Sequence, residues 1–439
     1  MRVNNKTIRV TTDEAAIVSH AGAALLAGLA DKTGLTRALD SELGGLQKRA
    51  RTHTPGAVLR NLAVTLADGG DCLSDLGALR EAQALLGKVA SDATAYRMIS
   101  ATGAGKLDDL HRARAMARAQ SWNQGARPDR IVLDIDATLV TSHSDKEEAK
   151  GNWKGGYGFH PLLCYLDQTD EALAGILRPG NAGANTAEDH ISLMGMALDQ
   201  LPPKDQDREI LVRCDSAGAT KDFLDYLHER DIRFSVGFQI DHRVREAIAG
   251  LGDDDWVCAV DEGGQIRPGA QVAQLDVALE GWPKTSRLIC RRERAHPGAQ
   301  LTLADVGGYR HRVLLTDGSG DIATLELEHR LHAHVEDRIR EAKSVGLSNL
   351  PFQKLADNKV WLELVLMAQD LLAWSRTVLL DGALKTAEPK TLRYRLFHQA
   401  GRIVKSGRRV TLKLASSWPW ADALVTAFAR LRALPVPAD

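Results

Sequence analysis

Two short acidic motifs and one helical carboxylate could perform chemistry together. The apolar run "IVLDIDATLVTS" carries Asp134 and Asp136 two positions apart, and the run "REILVRCD" ends on Asp215. A third carboxylate, Glu336, lies in the helical stretch "EHRLHAHVEDRIREAKSVGL". Carboxylates that meet in a fold repel one another, so such a cluster either pairs with basic groups or holds metal ions. Because Mg²⁺ prefers carboxylate oxygens, these residue types predict metal-dependent phosphoryl transfer.

The first acidic pair allows two interpretations. The string "DIDAT" matches the Asp-x-Asp-x-Thr motif of haloacid dehalogenase-like phosphatases, in which Asp134 would be the nucleophile and Asp136 the acid/base. In the other interpretation, Asp136 is a metal ligand of an RNase H-like nucleotidyltransferase core, and Asp134 is a supporting group or an alternative ligand. The order of the surrounding elements distinguishes the two folds.

The elements around these acids favour the RNase H-like core. Three strand-like runs, "RIVLDIDATLV", "GFHPLLCYLD" and "EALAGILRPG", follow one another closely, and a helix then precedes the strand that ends at Asp215. Short connections favour an antiparallel meander, because parallel crossovers need about a dozen or more residues. The fold class is therefore α/β, with a mixed-sheet core. The long interval between Asp215 and Glu336 contains more strand-like runs, which predicts an inserted β-rich domain.

The flanking regions differ from this core. Short helical segments precede it, including one with the basic stripe Arg112, Arg114 and Arg118, and the last region is basic. We expect a helical DNA-binding or dimerisation region at 1–125, the core at 126–240 and 326–382, the insertion at 241–325, and a basic DNA-binding region at 383–439. The helical segment 357–380 is expected to close the core, because apolar residues cover most of its circumference.

Composition limits the classes of protein that this chain could be. The net charge is −1, so any nucleic-acid surface must be local. Five scattered cysteines lack metal-ligand spacing. The longest apolar run contains Glu363 and Asp370, and no signal-peptide pattern follows Met1. These features predict a cytoplasmic, nucleoid-associated protein with no membrane partner.

Several motifs in a fixed order resemble one known family. "DIDAT", "NWKGGYGFHPLL", "LRPGNAGANTAED", "LVRCDSAGA" and "EDRIREAKSVGLSNLPF" resemble DDE transposases of bacterial insertion sequences, in the branch grouped with piggyBac-like elements. The resemblance implies that Asp136, Asp215 and Glu336 are catalytic and bind two Mg²⁺ ions, for which Mn²⁺ substitutes. It also implies that a homodimer binds terminal inverted repeats in a synaptic complex, cleaves the DNA and joins the 3′ ends to target DNA. A relative that binds DNA without cutting it is the remaining alternative.

The same resemblance indicates DNA-contacting residues. Related transposases carry a Tyr, an Arg and a Lys around the Glu; here His329 and His332 replace the first two, Lys343 retains the third, and Arg330 or Arg338 could substitute as a phosphate contact. Trp282 of the insertion could stack on a displaced base, although a place in the core is the commoner fate of such a residue. Other residues expected at DNA are Arg340, Lys150, Asn152, Lys154, Arg97, Arg393, Arg395, Arg402, Lys405, Arg408 and Arg409.

Overall fold

The computed structural model describes residues 2–3, 6–7, 17–46, 52–294, 308–407 and 409–436. Its helices are α1 Ala23–Lys32, α2 Leu35–Leu43, α3 Pro55–Ala67, α4 Leu76–Glu81, α5 Gln83–Leu86, α6 Asp92–Gly103, α7 Leu107–Ser121, α8 Ala187–Asp199, α9 Lys221–His228, α10 His242–Ala249, α11 Ile322–Arg330, α12 His334–Ala342, α13 Leu355–Val378, α14 Pro389–Leu392 and α15 Ala421–Ala433. Its strands are β1 Arg2–Val3, β2 Lys6–Thr7, β3 Ile17–Val18, β4 Ile131–Ala137, β5 Val140–Thr141, β6 Lys150–Gly151, β7 Tyr157–Phe159, β8 Leu162–Leu166, β9 Glu171–Ile176, β10 Ile210–Cys214, β11 Arg233–Phe238, β12 Val257–Val260, β13 Ile266–Leu275, β14 Arg287–Arg294, β15 Tyr309–Thr316, β16 Gly401–Ser406 and β17 Arg409–Leu414.

A nine-stranded sheet forms the centre of the fold, in the order β12-β13-β14-β15-β11-β10-β4-β8-β9. Strands β4, β8 and β9 form the predicted antiparallel meander, whereas β10 runs parallel to both β4 and β11. Helix α8 lies between β9 and β10 in the chain and packs on β8 and β9. This mixed sheet confirms the predicted α/β fold class with its RNase H-like order of strands.

The described strands of the β-rich insertion, at 257–294 and 309–316, continue the core sheet. Strand β15 pairs antiparallel with β11, and β14, β13 and β12 follow outward from it. Helix α11 packs on these added strands, and a small second apolar cluster fills that contact. The sequence predicted the strands but not this pairing, because hydrogen bonding between distant strands leaves no local pattern.

The N-terminal helices pack around α13. Thr54 caps α3 by accepting the amide of Ala57, and Pro55 begins that helix, as the sequence indicates. Helix α13 contacts α1, α3, α6, α7 and β9, and it is buried along most of its length. This burial agrees with the expectation that α13 closes the core.

Two of the three arginines in the basic stripe of α7 do not face solvent. Arg114 and Arg118 are fully buried. Arg114 donates to Glu363 at 2.7 Å, and Arg118 donates to Asp370 at 2.7 Å. Glu171 of β9 accepts from Arg118 at 3.0 Å. These two arginines therefore join α7 to α13 and the sheet and leave no basic surface at their positions.

The C-terminal region adds a small sheet, in which β16 pairs with β17 and also with β3 near the start of the chain. Helix α15 packs against α1. Within the described ranges, no helix combines the length and the apolar character that crossing a bilayer would require.

Candidate active site

Two of the predicted carboxylates lie at the carboxyl ends of adjacent parallel strands. Asp136 is the last residue but one of β4, and Asp215 directly follows β10. Because Cys214 pairs with Ile135, the next position on each strand brings Asp215 beside Asp136. The Oδ1 atom of each carboxylate accepts a nearby backbone amide, at 2.7 Å for Asp136 and 2.9 Å for Asp215. The strand register therefore places both acids at one edge of the sheet.

The third carboxylate reaches this edge from a helix. Glu336 lies in the first turn of α12, and α12 contacts β4. Burial raises the pKa of Asp136 to about 6, and the negative charges of Asp215 and Glu336 add to that rise. These charges act on Asp136 because the groups are near one another. The fold thus brings all three predicted acids together.

The donor chemistry of this trio fits divalent cations. Carboxylate oxygens are the ligands that Mg²⁺ prefers, and bound cations would relieve the repulsion that raises the pKa of Asp136. Among the described residues, the sets whose metal-binding atoms all lie within 4.8 Å of one another occur elsewhere: His20 with Asp68 and His398, and Asp71 with Cys72 and Asp75. Asp136, Asp215 and Glu336 are not among these closely spaced sets.

Asp134 has a different environment from Asp136. It is buried, and its carboxylate accepts from Arg213 Nε at 2.8 Å and from a terminal nitrogen of Arg213 at 2.6 Å. His332 Nδ1 lies 2.8 Å from Asp134 Oδ1. A carboxylate held on both oxygens by a buried guanidinium is poorly placed for attack on phosphorus. This geometry speaks against the phosphatase interpretation and makes Asp134 a supporting group.

Both histidines that replace the expected Tyr and Arg line the cleft beside the acids. His329 Nδ1 lies 3.1 Å from Ser235 Oγ, and burial lowers the pKa of His329 to about 3. His332 contacts Asp134, as described above, and the positive charge of a protonated His332 would lower the pKa of Asp136. Sequence reasoning treated these positions as a departure from the family pattern and did not identify His332 as a neighbour of the acids.

The expected cationic helix residues have different surroundings. Lys343 follows α12, and burial together with the charge of Lys154 lowers its pKa, whereas Asp136 opposes this effect. Lys343 therefore lies near both the acids and the segment that carries Lys154. Arg340 is exposed and pairs with Asp337 at 2.8 Å.

The two proposed substitutes for the missing family arginine also differ. Arg338 is paired with Asp170 at 2.8 Å and lies within the packed helix–sheet contact, which makes it a structural residue. Arg330 lines the cleft, where it donates to Glu326 and to the carbonyl of Val260. Arg330 is thus the better placed of the two for a phosphate.

The predicted loop contacts lie on a hairpin formed by β6 and β7, which belongs to a small three-stranded sheet with β5. Lys150 and Lys154 are exposed. Asn152 instead shapes the turn, because its Oδ1 accepts the amides of Lys154 at 3.0 Å and Gly156 at 3.1 Å. The hairpin therefore offers two cations to a partner, and Asn152 holds the backbone between them.

A cleft of about 990 Å³ separates the acids from the insertion. Asp215, His332 and Glu336 line this cleft, and Arg310 and Arg312 of β15 line it as well. Arg291 of β14, which pairs directly with Arg312 across the strands, also lines the cleft. The sequence reasoning did not select these arginines. The alternation in "YRHRV" was the available signal, because residues two apart on a strand share a face.

The other predicted DNA residues divide into three groups. Arg97, Arg402 and Lys405 are exposed, and Arg395 lies over the Trp420 ring at 5.0 Å. Arg408 lies outside the described residues, as does the side chain of Arg409. Arg393 is buried and donates to the carbonyls of Ala67 and Ser344, each at 2.9 Å. Its donors are used inside the fold, so we correct its expected role from DNA contact to structural residue.

Trp282, the expected stacking residue of the insertion, is half-buried between β13 and β14. Its ring lies edge-to-face with Phe238, with centroids 5.4 Å apart, and Lys221 Nζ lies 5.9 Å from the ring centre. Phe238 lines the cleft, so Trp282 stands behind a cleft wall.

Comparisons with known proteins agree with this geometry at the level of the family. A search of curated proteins finds no match. A solved structure, the cryo-EM structure of the piggyBac transposase synaptic complex with hairpin DNA, is similar with a TM-score of 0.44 and 12% identity over 85% of this chain and 79% of that one. The family model described as transposase DDE domain group 1 matches residues 1–436. The chain therefore belongs to the DDE transposase family.

Proposed function

We propose that this protein is the transposase of a bacterial insertion sequence. In this proposal it binds the terminal inverted repeats of its element, hydrolyses the DNA strand at the element end and joins the freed 3′ end to target DNA. The observation that carries the proposal is the convergence of Asp136, Asp215 and Glu336 beside a cleft that is also lined by arginines.

The three acids have a common task in this reaction. Asp136 and Asp215 approach from the sheet edge and Glu336 from α12, so together they surround one position at which a scissile phosphate can lie. When Mg²⁺ or Mn²⁺ ions are bound there, they lower the pKa of a water or a DNA hydroxyl and neutralise the phosphate. His332 and Arg213 hold Asp134 and thereby fix the end of β4 that carries Asp136.

The basic side chains around this position are suited to the DNA backbone. Arg310 and Arg312 line the same cleft as Asp215 and Glu336, and Lys343 lies near Asp136. The hairpin lysines Lys150 and Lys154 extend this positive border. Cations that line such a path fix the position of a duplex through phosphate contacts and carry no sequence information themselves. Joining two element ends to one target requires two active sites, so we expect a homodimer on DNA.

A catalytically inactive DNA-binding protein is the remaining alternative. The raised pKa of Asp136 argues against it, because keeping three acids together costs stability that a protein without catalytic function has no reason to retain. The two functions differ in whether DNA that is bound is also cut.

The experiment is cleavage of a labelled duplex that carries the terminal repeats flanking the gene, in the presence of Mg²⁺. The wild type is compared with Asp136→Asn, Asp215→Asn and Glu336→Gln, and binding is measured in parallel by gel shift. Asp337→Asn is the matched control, since Asp337 lies next to Glu336 on α12 and pairs with Arg340 on the outer surface.

The proposal predicts cutting at the repeat boundary by the wild type and by Asp337→Asn. Each substitution in the trio should lower the cleavage rate by at least about 100-fold, the loss expected when charge stabilisation is removed from a transition state, and binding should persist. Binding without cutting by the wild type would establish the inactive alternative, and hydrolysis of small phosphate esters without DNA would restore the phosphatase interpretation.

A further inference from the structure

An exposed tryptophan stands at the tip of the hairpin beside the candidate active site. Trp153 lies in the turn between β6 and β7 and is 60% exposed, although a ring of this size is usually largely buried. Lys150 and Lys154 lie on either side of it in the chain and are exposed as well. The tip of the hairpin therefore presents a large aromatic surface between two positive charges.

The turn that carries Trp153 is held by its own hydrogen bonds. Asn152 accepts the amides of Lys154 and Gly156 through its side chain, and its own amide donates to the Gly156 carbonyl at 2.8 Å. Gly155 adopts a φ of +77°, which favours glycine. The Trp153 ring meets the His160 ring at 68°, with centroids 4.7 Å apart. The turn thus has a hydrogen-bonded backbone, and the Trp153 ring packs against His160 while most of its surface stays exposed.

The hairpin is anchored at the end of the catalytic strand. Strand β5, which follows β4, pairs with β7 through Val140 and Phe159. The amide of Thr138, two residues beyond Asp136, donates at 3.1 Å to the carbonyl of Pro161, the neighbour of His160. The ring that Trp153 contacts is therefore connected to Asp136 by a short run of paired backbone. In addition, the charge of Lys154 lowers the pKa of Lys343, and the charge of Asp136 raises it, so Lys343 lies near both residues.

We infer that Trp153 is a positioning residue that stacks on an unpaired base of the element end next to the cleavage site. The inference rests on the proposed function and adds the contact that holds the DNA in register. An aromatic face accepts any base, and the lysines on either side are placed for the flanking phosphates. Trp282 is less suited to this role, because it is half-buried and its ring is already in contact with Phe238.

The test combines substitutions of Trp153 with a missing base in the DNA. Cleavage is measured for the wild type, Trp153→Ala, Trp153→Phe and Trp282→Ala, on an intact element end and on ends with one abasic site at each position around the boundary. Stacking on intact DNA, followed by 2-aminopurine fluorescence, is measured with the Asp136→Asn form of each protein so that no cutting interferes. Thermal melting of each variant checks that the fold is retained.

We expect Trp153→Ala to slow cleavage of intact DNA by roughly 5- to 150-fold, the range for loss of one base–aromatic stack, and to lower the change in 2-aminopurine fluorescence at one position. Trp153→Phe should restore most of the activity. At that position the abasic site should slow the wild type similarly and should not slow Trp153→Ala further, because the two changes remove the same contact.

Three results would overturn the inference: normal cleavage by Trp153→Ala, additive effects of the substitution and every abasic site, or a fluorescence change that depends on Trp282 instead. Each of these leaves the proposed function intact, because the wild type still cuts. Failure of the wild type to bind or cut the element end would instead remove the proposed function itself.

Discussion

Asp134 and Asp136 are two residues apart on one strand, and we predict that their amide substitutions change stability in opposite directions. At Asp136, burial and neighbouring acids raise the pKa from 3.8 to about 6. A carboxyl group whose pKa is raised by folding destabilises the folded state once the pH exceeds its pKa in the unfolded chain. This loss of unfolding free energy grows until the pH passes the pKa of the group in the folded protein. A shift of about 2 units corresponds to about 3 kcal/mol at pH 8 and to roughly half of that at pH 5.

Asp136→Asn removes this cost because an amide carries no charge. In EDTA the variant should therefore be more stable than the wild type by up to about 3 kcal/mol at pH 8, with a smaller gain at pH 5. Asp134→Asn should have the opposite effect, because the buried guanidinium of Arg213 loses the carboxylate that binds it at 2.6 and 2.8 Å and keeps an ion pair with Asp167 at 3.0 Å. Removing one partner of a buried pair costs about 3–5 kcal/mol.

The assay is urea unfolding followed by tryptophan fluorescence, in EDTA at both pH values. Adding Mg²⁺ should then narrow the gap between the wild type and Asp136→Asn, because an ion that binds only the folded wild type stabilises it. If Asp136→Asn is destabilising at pH 8, or Asp134→Asn is harmless, the assignment of one acid to the reaction and the other to the fold is refuted.

Three further predictions concern residues away from the acids. The Glu363 carboxylate raises the pKa of His111, so His111→Gln should destabilise the protein more at pH 6 than at pH 9. In the wild type, the stabilisation from protonated His111 is complete below about pH 6.5, and it is lost as the pH rises through the pKa of His111 in the folded protein. Arg118→Met should lower the unfolding free energy by about 3–5 kcal/mol, measured in urea, because the fully buried Glu171 loses the cation that lies 3.0 Å away. Gly158→Ala should cost at least about 1–3 kcal/mol and reduce DNA cleavage, because its φ is +153° and an added Cβ would lie 2.1 Å from the Val140 carbonyl oxygen.

Each of these variants has a matched control. His143→Gln changes an exposed histidine and should leave the stability close to that of the wild type. Arg112→Met removes a guanidinium whose side chain is 57% exposed and should cost much less stability than Arg118→Met. Gly195→Ala adds a Cβ into open space on α8 and should be neutral or slightly stabilising. Equal effects of a variant and its control would contradict the reason given for that variant.

The parts of the fold that depend on local pattern could be predicted from the sequence. Asp136 and Asp215 end apolar runs, and the ends of parallel strands meet at one edge of a sheet, so the spacing of elements was enough to bring these two acids together. The cap at Thr54 and the buried helix α13 depend only on neighbouring residues.

The parts that depend on distant partners could not be predicted in this way. Arg114, Arg118 and Arg393 resemble surface cations in the sequence, and only the fold supplies the acids and carbonyls that make their burial possible. The arginines of β15 line the same cleft as Asp215 and Glu336 because β15 pairs with β11, and a strand pattern does not identify its partner. The distinction between Asp134 and Asp136 likewise required the position of Arg213 on the next strand.

The pairing of β3 with β16 has a consequence for how the protein is made. Val18 lies opposite Gly401, so a ribosome must translate nearly four hundred further codons before the first of these strands meets its partner. The buried pairs between α7 and α13 impose a similar delay on the core, because the carboxylates that neutralise two buried cations are synthesised about 250 residues later. Products of premature termination should therefore remain unfolded and be degraded, and no fragment should compete with the whole enzyme for the ends of its element.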